Sequence, residues 1–329
     1  MTSHDELLRI AGLTVTFPSE NGPVRAVRGV DLDLQAGESL ALLGESGSGK
    51  SVTGRALLGL AGPGGRIAGS IRFEGREYLG ATESAWREVR GRGIAMVFQD
   101  SLDSLNPVYS VGSQLEEILR VRGGRTRSQA RQRALELLAD VGIPSPETRI
   151  DHYPHQFSGG MRQRVCIAMA IALEPRLLIA DEPTTALDVT VQAGILRLLK
   201  RLQRETGMAL VFVTHDLNVA RLVADRVAVM YAGRIVEQGP IDEVYRHAAH
   251  PYSRALMESH PGVVDDWRSL HPIPGNAPLK STVITGCAFH PRCPIARELC
   301  GEVRPPLAAV APGRLTACHF AEEVLHGGR

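Results

Sequence analysis

Residues 44–51, GESGSGKS, constrain the fold of this chain more than any other segment. They fit the pattern G-x-x-x-x-G-K-[ST] between the apolar segment Ser39–Leu43 and the helical pattern SVTGRALLGL. Glycine lets successive backbone N–H groups turn inward around a phosphate, and the start of the following helix favours the same anion. These residues therefore predict a phosphate-binding loop between a strand and a helix.

Each residue type in the loop has a chemical role. We expect the loop to be built by Gly44, Glu45, Ser46, Gly47, Ser48 and Gly49. Lys50, one of three lysines among 37 basic residues, has a compact ammonium group suited to the β- and γ-phosphates of a nucleotide. Ser51 offers its hydroxyl group to Mg²⁺.

A second segment, LLIADE at residues 177–182, has the pattern of a buried strand that ends in two acidic residues. At the end of that strand Asp181 can hold Mg²⁺, usually through water. Glu182 would face the γ-phosphate and polarise an attacking water molecule. The segment therefore predicts the hydrolytic part of a nucleotide site.

A second phosphate-binding segment is indicated by FSGGM, where Ser158, Gly159 and Gly160 stand at the start of a helix. One γ-phosphate does not need two glycine loops from the same chain. A head-to-tail dimer resolves this, because the second segment then covers the nucleotide held by the partner.

The ordered set GESGSGKS, FQD, FSGGMRQR, LLIADE, TALD and THD resembles the ATP-binding subunits of ABC transporters over about residues 5–240. The resemblance implies ATP held between two subunits and hydrolysis that drives a membrane partner. It also implies roles for Gln99 in Mg²⁺ sensing and coupling to the membrane, for Asp188 at the dimer interface, for His215 at the γ-phosphate, and for Phe17 against adenine. Phe157 and Met161 depart from the usual Leu and Gln, which affects only the expected contact to the ribose.

The alternation of strand and helix patterns predicts an α/β fold with a mainly parallel core sheet. The resemblance adds an antiparallel β subdomain and a helical subdomain at about residues 100–173. We therefore expect an ATP-binding domain over 1–240. The proline-rich residues 241–329 predict a small, loop-rich C-terminal domain, called the tail below.

The tail contains HPYSRALMESHP (250–261), PIPGNAP (272–278) and GCAFHPRCP (286–294). These segments resemble the C-terminal region of oligopeptide and dipeptide importer ATPases, a branch that includes nickel importers. The resemblance implies two membrane permeases, an extracytoplasmic binding protein and a second ATPase, either a paralogue or a second copy. It also implies a peripheral position on the cytoplasmic face of the membrane. The cargo, whether di- or oligopeptides, nickel or another small solute, is not readable from this chain.

Four of the five cysteines fall in the last 43 residues, spaced C-x₅-C-x₆-C-x₁₇-C: Cys287, Cys293, Cys300 and Cys318. Three interpretations remain open at this point. The cysteines could hold a [4Fe–4S] cluster, which the family resemblance suggests for some members, or a zinc ion, or they could be packed thiols. Cys166 lies in a helical pattern and is predicted to be core.

Composition bears on the alternative functions. The net charge of +1 gives no basic excess, and we expect no nucleic-acid ligand. The longest apolar run has nine residues, fewer than a membrane span needs, and the first residues do not resemble a secretion signal. A soluble ABC ATPase that acts on DNA or ribosomes is the rival hypothesis. Such proteins usually carry a long coiled coil or tandem ATPase units, and this sequence has neither pattern.

Overall fold

The structure is a computed structural model that describes residues 6–20, 22–99, 104–185, 187–259, 273–278, 282 and 284–326. Two compact units divide the chain. The first comprises residues 1–35, 39–80 and 213–329, and the second comprises 36–38 and 81–212. The tail and the predicted phosphate loop therefore belong to the same unit.

The strands within the described residues are β1 Glu6–Phe17, β2 Val24–Gln35, β3 Ser39–Leu43, β4 Arg66–Phe73, β5 Arg76–Glu77, β6 Ile94–Val97, β7 Leu177–Asp181, β8 Ala209–Thr214, β9 Arg226–Tyr231, β10 Arg234–Pro240, β11 Ala308–Ala311 and β12 Arg314–Thr316. The α-helices in the same ranges are Lys50–Ala56, Glu83–Val89, Val111–Val121, Arg127–Asp140, Pro146–Arg149, Gly159–Ile171, Val189–Thr206, Leu217–Val223, Ile241–Arg246, Pro251–Glu258, Glu298–Glu302 and Ala321–His326. Short 3₁₀ turns cover Pro154–Gln156 and His290–Arg292.

The first unit contains an antiparallel sheet in the order β2–β1–β4–β5. β1 and β2 form a long hairpin in which apolar side chains such as Leu13, Val15 and Val30 are fully buried. Apolar and polar residues alternate along both strands, as expected for a sheet with one face on the core. The predicted antiparallel β subdomain is confirmed.

The same unit holds a second set of strands in the order β11–β12–β10–β9–β3. β3 pairs with β9 in parallel, and the remaining pairs are antiparallel. The tail adds β11 and β12 to this sheet, with Glu237 of β10 opposite Thr316 of β12. One apolar core joins β3 and β9 to the tail through residues that include Leu43, Val229 and Tyr252.

The second unit contains β6, β7 and residues 209–212 of β8, in the order β8–β7–β6, with β6 and β7 parallel. Every residue of β7 is buried, which accounts for its unbroken apolar sequence. Several of its helices are capped by side chains at their first turn. Thr126 and Gln129, for example, form a reciprocal capping box at the start of helix Arg127–Asp140. The α/β class predicted from the sequence is confirmed, whereas the helical subdomain at about 100–173 remains a prediction.

The helix after the phosphate loop is shorter than its sequence pattern. It ends at Ala56, and Gly59 adopts a φ of 67° soon afterwards. Residues 260, 261 and 272 of the quoted tail segments lie outside the described residues.

Candidate functional site

The loop between β3 and helix Lys50–Ala56 has a backbone that only glycine can form at two positions. A β-carbon on Gly44 would lie 2.2 Å from the carbonyl oxygen of Met230. At Gly49, where φ is 108°, a β-carbon would lie 2.6 Å from the carbonyl oxygen of Ala26. The close approach of these neighbouring backbones fixes the shape of the loop.

Lys50 is 4% exposed, and its ammonium group is held by its own loop. Its Nζ donates hydrogen bonds to the carbonyl oxygens of Gly44 at 2.8 Å and Glu45 at 3.0 Å. Ser48 Oγ is buried and has no hydrogen-bond partner among the described residues. A buried hydroxyl group with an unmet hydrogen bond, beside a lysine that is held in place, fits a loop that binds an anion.

Phe17 is half-buried at the end of β1. A β-carbon on Gly65 would lie 2.9 Å from its Cε1 atom, so this glycine lets the ring pack against the chain after the helix. Ser51 is also half-buried, directly after Lys50. Both lie in the first unit with the loop, and the assignment of Phe17 to adenine and of Ser51 to Mg²⁺ remains a prediction.

Asp181 is the last residue of β7 in the second unit, and Glu182 follows it directly. Asp181 is fully buried, and Glu182 adopts a φ of 45°, a left-handed conformation that is uncommon outside glycine. Glu182 Oε2 accepts hydrogen bonds from Gln99 Nε2 at 3.2 Å and from Thr185 Oγ1 at 3.0 Å. The structure therefore brings together Gln99 and Glu182, two predicted site residues that lie 83 positions apart in the sequence. Thr185 is a contact that the sequence reasoning missed.

The glycine segment after Phe157 begins a helix as predicted. Ser158 Oγ accepts a hydrogen bond from the Met161 N–H at 3.4 Å and caps helix Gly159–Ile171. A β-carbon on Gly160 would lie 2.4 Å from Cγ1 of Val191, whereas one on Gly159 would meet only an ordinary contact. Gly160 is therefore required for packing within this unit.

Asp188 and His215 were predicted to act at the dimer interface and the γ-phosphate. Asp188 Oδ1 accepts a hydrogen bond from the Val191 N–H at 2.9 Å, so it caps helix Val189–Thr206. His215 is exposed after β8, and Asp216 behind it caps helix Leu217–Val223. The roles proposed for Asp188 and His215 remain predictions.

The tail contributes a contact to the phosphate loop that the sequence reasoning also missed. Arg292 pairs with the carboxylate of Glu45, and the Tyr252 hydroxyl group accepts a hydrogen bond from the Glu45 N–H. The two tail residues lie in the quoted segments HPYSRALMESHP and GCAFHPRCP. No pattern in a single sequence connects them to residue 45.

The four tail cysteines line one small cavity, together with apolar side chains such as Phe289 and Ile295. Burial raises the pKa of the Cys318 thiol to about 11, and its interactions with the other three thiols act in the same direction. Over the described part of the chain, no three His, Cys, Asp or Glu side chains are grouped closely enough to hold a single metal ion. Cys166 is buried in helix Gly159–Ile171, as predicted, and burial raises the pKa of its thiol to about 12.

Two family models match the chain. The model described as ABC transporter matches residues 27–185, and the model described as oligopeptide/dipeptide transporter, C-terminal region, matches residues 236–300. None of the helices that the structure describes is long and apolar enough to span a membrane.

Curated relatives match along nearly the whole chain. The oligopeptide transport ATP-binding protein OppD of Salmonella typhimurium is 48% identical over 97% of this chain and 95% of its own length. The dipeptide transport ATP-binding protein DppD of Escherichia coli is 46% identical over 95% of this chain and 96% of its own. A putative peptide import ATP-binding protein of Brucella melitensis is 47% identical over 98% of this chain and 99% of its own length.

Two solved structures of ATP-binding cassettes are similar to this chain. The ATP-binding cassette MJ0796, in a dimeric post-hydrolysis state bound to ADP and phosphate, is 31% identical and superposes with a TM-score of 0.64. The match covers 71% of this chain and 99% of that one. The cassette cbiO1 of Clostridium perfringens, part of the ABC transporter complex cbiONQ, gives a TM-score of 0.62 at 31% identity, covering 74% of this chain and 91% of that one.

Proposed function

This chain belongs to the ATP-binding proteins of ABC transporters, in the oligopeptide/dipeptide branch, and from that premise we propose that it is the motor subunit of a peptide importer. It is an ATPase, as its family is. One observation carries the proposal of peptide import: a single chain combines the ABC ATP-binding region with the oligopeptide/dipeptide C-terminal region. Relatives named for oligopeptide transport, dipeptide transport and peptide import support it.

The roles of the binding residues are proposed from the family resemblance, and their local geometry supports the proposal. Phe17 packs against adenine, and the backbone of residues 44–51 surrounds the phosphates. Lys50 exchanges the carbonyl oxygens of its own loop for phosphate oxygens, which needs little movement of a side chain that is already held in place. Ser51, Gln99 and Asp181 would hold Mg²⁺, as the family resemblance implies. When bound, the ion neutralises charge on the phosphate oxygens.

Glu182 polarises the water that attacks the γ-phosphate. Its carboxylate is restrained by Gln99 and Thr185, and its backbone conformation is one that costs about 1–2 kcal/mol for a side chain of this type. Such restraint keeps the carboxylate oriented before the nucleotide arrives. His215 holds the water and the γ-phosphate.

Two ATPase subunits, either two copies of this chain or this chain and a paralogue, close over two ATP molecules. Each subunit places Ser158, Gly159 and Gly160 on the ATP of the other, and Asp188 crosses the interface. Closure moves two membrane permeases, which receive peptide from an extracytoplasmic binding protein. The chain acts peripherally on the cytoplasmic face of the membrane.

The cavity lined by the four tail cysteines is a site for a [4Fe–4S] cluster. Four thiols on one cavity with apolar walls match the ligand set of such a cluster. A bound cluster would cross-link four segments of the tail through Cys287, Cys293, Cys300 and Cys318.

Transport is tested with the chain assembled with its permeases in proteoliposomes. We expect ATP-dependent uptake of a labelled tripeptide in the presence of the binding protein. Glu182→Gln should lower ATP turnover about 100-fold or more while ATP binding persists. Glu174→Gln is the matched control, because the Glu174 backbone is also left-handed while its side chain is exposed. Uptake of ⁶³Ni²⁺ without peptide would contradict the proposal that the cargo is a peptide. Unchanged ATP turnover of Glu182→Gln would contradict the proposed role of Glu182.

The cluster is tested by an anaerobic absorption spectrum of the purified chain with iron, sulfide and zinc assays. About four irons per chain and a broad visible absorption band would support the cluster. One zinc per chain, or no metal after anaerobic handling, would contradict it.

A further inference from the structure

Arg292 of the tail and Glu45 of the phosphate loop form a two-point ion pair. Arg292 Nη1 lies 2.9 Å from Glu45 Oε2, and Nη2 lies 3.1 Å from Oε1. The Arg292 side chain is 7% exposed and that of Glu45 is 27% exposed. Parallel N–H···O bonds of this kind fix orientation as well as charge.

Other contacts hold the Arg292 guanidinium group in place. Its Nε donates to the carbonyl oxygen of Pro274 at 2.8 Å, and Nη1 also reaches the Tyr231 hydroxyl group at 3.2 Å. The group lies near the rings of Tyr231 and Phe289, 5.8 and 5.9 Å from their centroids. Burial lowers the pKa of Arg292, but the hydrogen bonds to Glu45 and Tyr231 outweigh it and raise the pKa above its usual value. Arg292 is therefore a fixed cation.

Tyr252 holds the backbone of the same loop residue. Its hydroxyl oxygen accepts a hydrogen bond from the Glu45 N–H at 2.9 Å. The ring is fully buried against Tyr231 and Phe289, with centroid distances of 4.5 and 5.4 Å. The Glu45 carbonyl oxygen in turn accepts from Lys50 Nζ. Residue 45 is thus held at its side chain, its N–H group and its carbonyl group.

The charge of the loop gives this arrangement a consequence for binding. Residues 44–51 carry one carboxylate, Glu45, and one ammonium group, Lys50. An unpaired carboxylate in this loop would repel a triphosphate and cancel the attraction of the lysine. Pairing with Arg292 removes that repulsion and leaves the lysine charge effective.

We propose that Arg292 and Tyr252 are positioning residues of the nucleotide site, and that Arg292 neutralises Glu45 so that the phosphate loop attracts the triphosphate. This inference rests on the proposed nucleotide-binding function of the loop. It extends the site to the tail, 247 residues away in sequence.

The test measures Mg-ATP affinity of the full-length subunit by competition with a fluorescent ATP analogue. We expect Arg292→Gln to weaken affinity about tenfold, or ~1.4 kcal/mol. Arg292→Lys keeps the charge but not the two-point geometry, and should lose less. The double variant Arg292→Gln/Glu45→Gln should bind more tightly than Arg292→Gln, because it removes the repelling carboxylate. Arg297→Gln is the control, since Arg297 makes an exposed ion pair with Glu323 elsewhere in the tail.

Two further measurements separate positioning from folding. In the assembled transporter, Arg292→Gln should raise KM for ATP while kcat at saturating ATP changes by less than about threefold. Tyr252→Phe keeps the ring and should weaken Mg-ATP affinity about two- to threefold through loss of one hydrogen bond. If Arg292→Gln does not fold, the Mg-ATP affinities of Arg292→Lys and Tyr252→Phe test the inference in its place.

Three results would overturn the inference. Arg292→Gln could bind Mg-ATP as the wild-type chain does, or the double variant could bind no better than Arg292→Gln. In either case the proposed function would stand and this inference would fail. A wild-type chain that binds no nucleotide would overturn both.

Discussion

Arg314→Met should destabilise the first unit by leaving a buried carboxylate without its cation. Glu237 and Arg314 have side chains 0% and 7% exposed, 3.1 Å apart. Glu237 also accepts backbone hydrogen bonds from Ala249 at 2.8 Å and His250 at 3.0 Å. Methionine keeps an unbranched buried side chain but not the charge. Loss of one partner of a buried pair costs about 3–5 kcal/mol of unfolding free energy, the loss we expect at pH 8.

The loss of unfolding free energy in Arg314→Met should depend on pH, and the ionisation of Glu237 sets the direction of that dependence. Burial, more than any other cause, raises the pKa of Glu237 from its ordinary value of 4.5. Removing Arg314 would raise it further, because the cation favours the charged form. A carboxyl group with a raised folded-state pKa lowers stability as pH rises through that pKa, and the loss is absent below the unfolded-state pKa. The defect of Arg314→Met should therefore shrink from pH 8 towards pH 5, by up to ~1.36 kcal/mol for each pH unit.

Urea unfolding followed by far-ultraviolet circular dichroism at pH 8, 6.5 and 5 measures both effects. The double variant Arg314→Met/Glu237→Gln should recover at least about 1 kcal/mol at pH 8, since no charge is left buried. Arg221→Met is the surface control: its ion pair with Asp242 is exposed and should contribute less than about 1 kcal/mol. A defect below 1 kcal/mol, or one equal at pH 8 and pH 5, would refute the reasoning.

Three further predictions concern the second unit. Gly160→Ala should cost about 1–3 kcal/mol of unfolding free energy, because the new β-carbon would lie 2.4 Å from a valine methyl group, while Gly159→Ala costs less; equal melting temperatures would contradict this. Cys166, whose pKa is raised to about 12 by burial, should resist iodoacetamide at pH 7.5 until the chain is denatured, as mass spectrometry would detect. Thr185→Val removes one hydrogen bond to Glu182 and should lower kcat roughly two- to tenfold at unchanged Mg-ATP affinity; an unchanged kcat would remove Thr185 from the site.

The parts of the site that the sequence predicts are those formed by consecutive residues. The glycine loop lies between a strand and a helix as predicted, and β7 ends at Asp181 as its apolar run indicates. Ser158 begins a helix because a serine before two glycines is a good cap. In each case the chemistry and the local backbone are encoded within a few residues.

The parts that the sequence does not predict are contacts between distant segments. The proline-rich tail was expected to be loop-rich, but β12 pairs with β10 across a long separation. Such pairing depends on which edge of a sheet is left open by the rest of the fold, and no local pattern records it. The left-handed backbone of Glu182 is likewise a product of its surroundings, since glutamate has no preference for it.

The contact between Glu45 and Arg292 has a consequence for how subunits of this kind can be recombined. A chimaera joined near residue 240 would take one half of the pair from each parent. If the donor tail had evolved beside a neutral residue at position 45, the host loop would keep an uncompensated carboxylate. The unit of exchange is therefore the tail together with position 45.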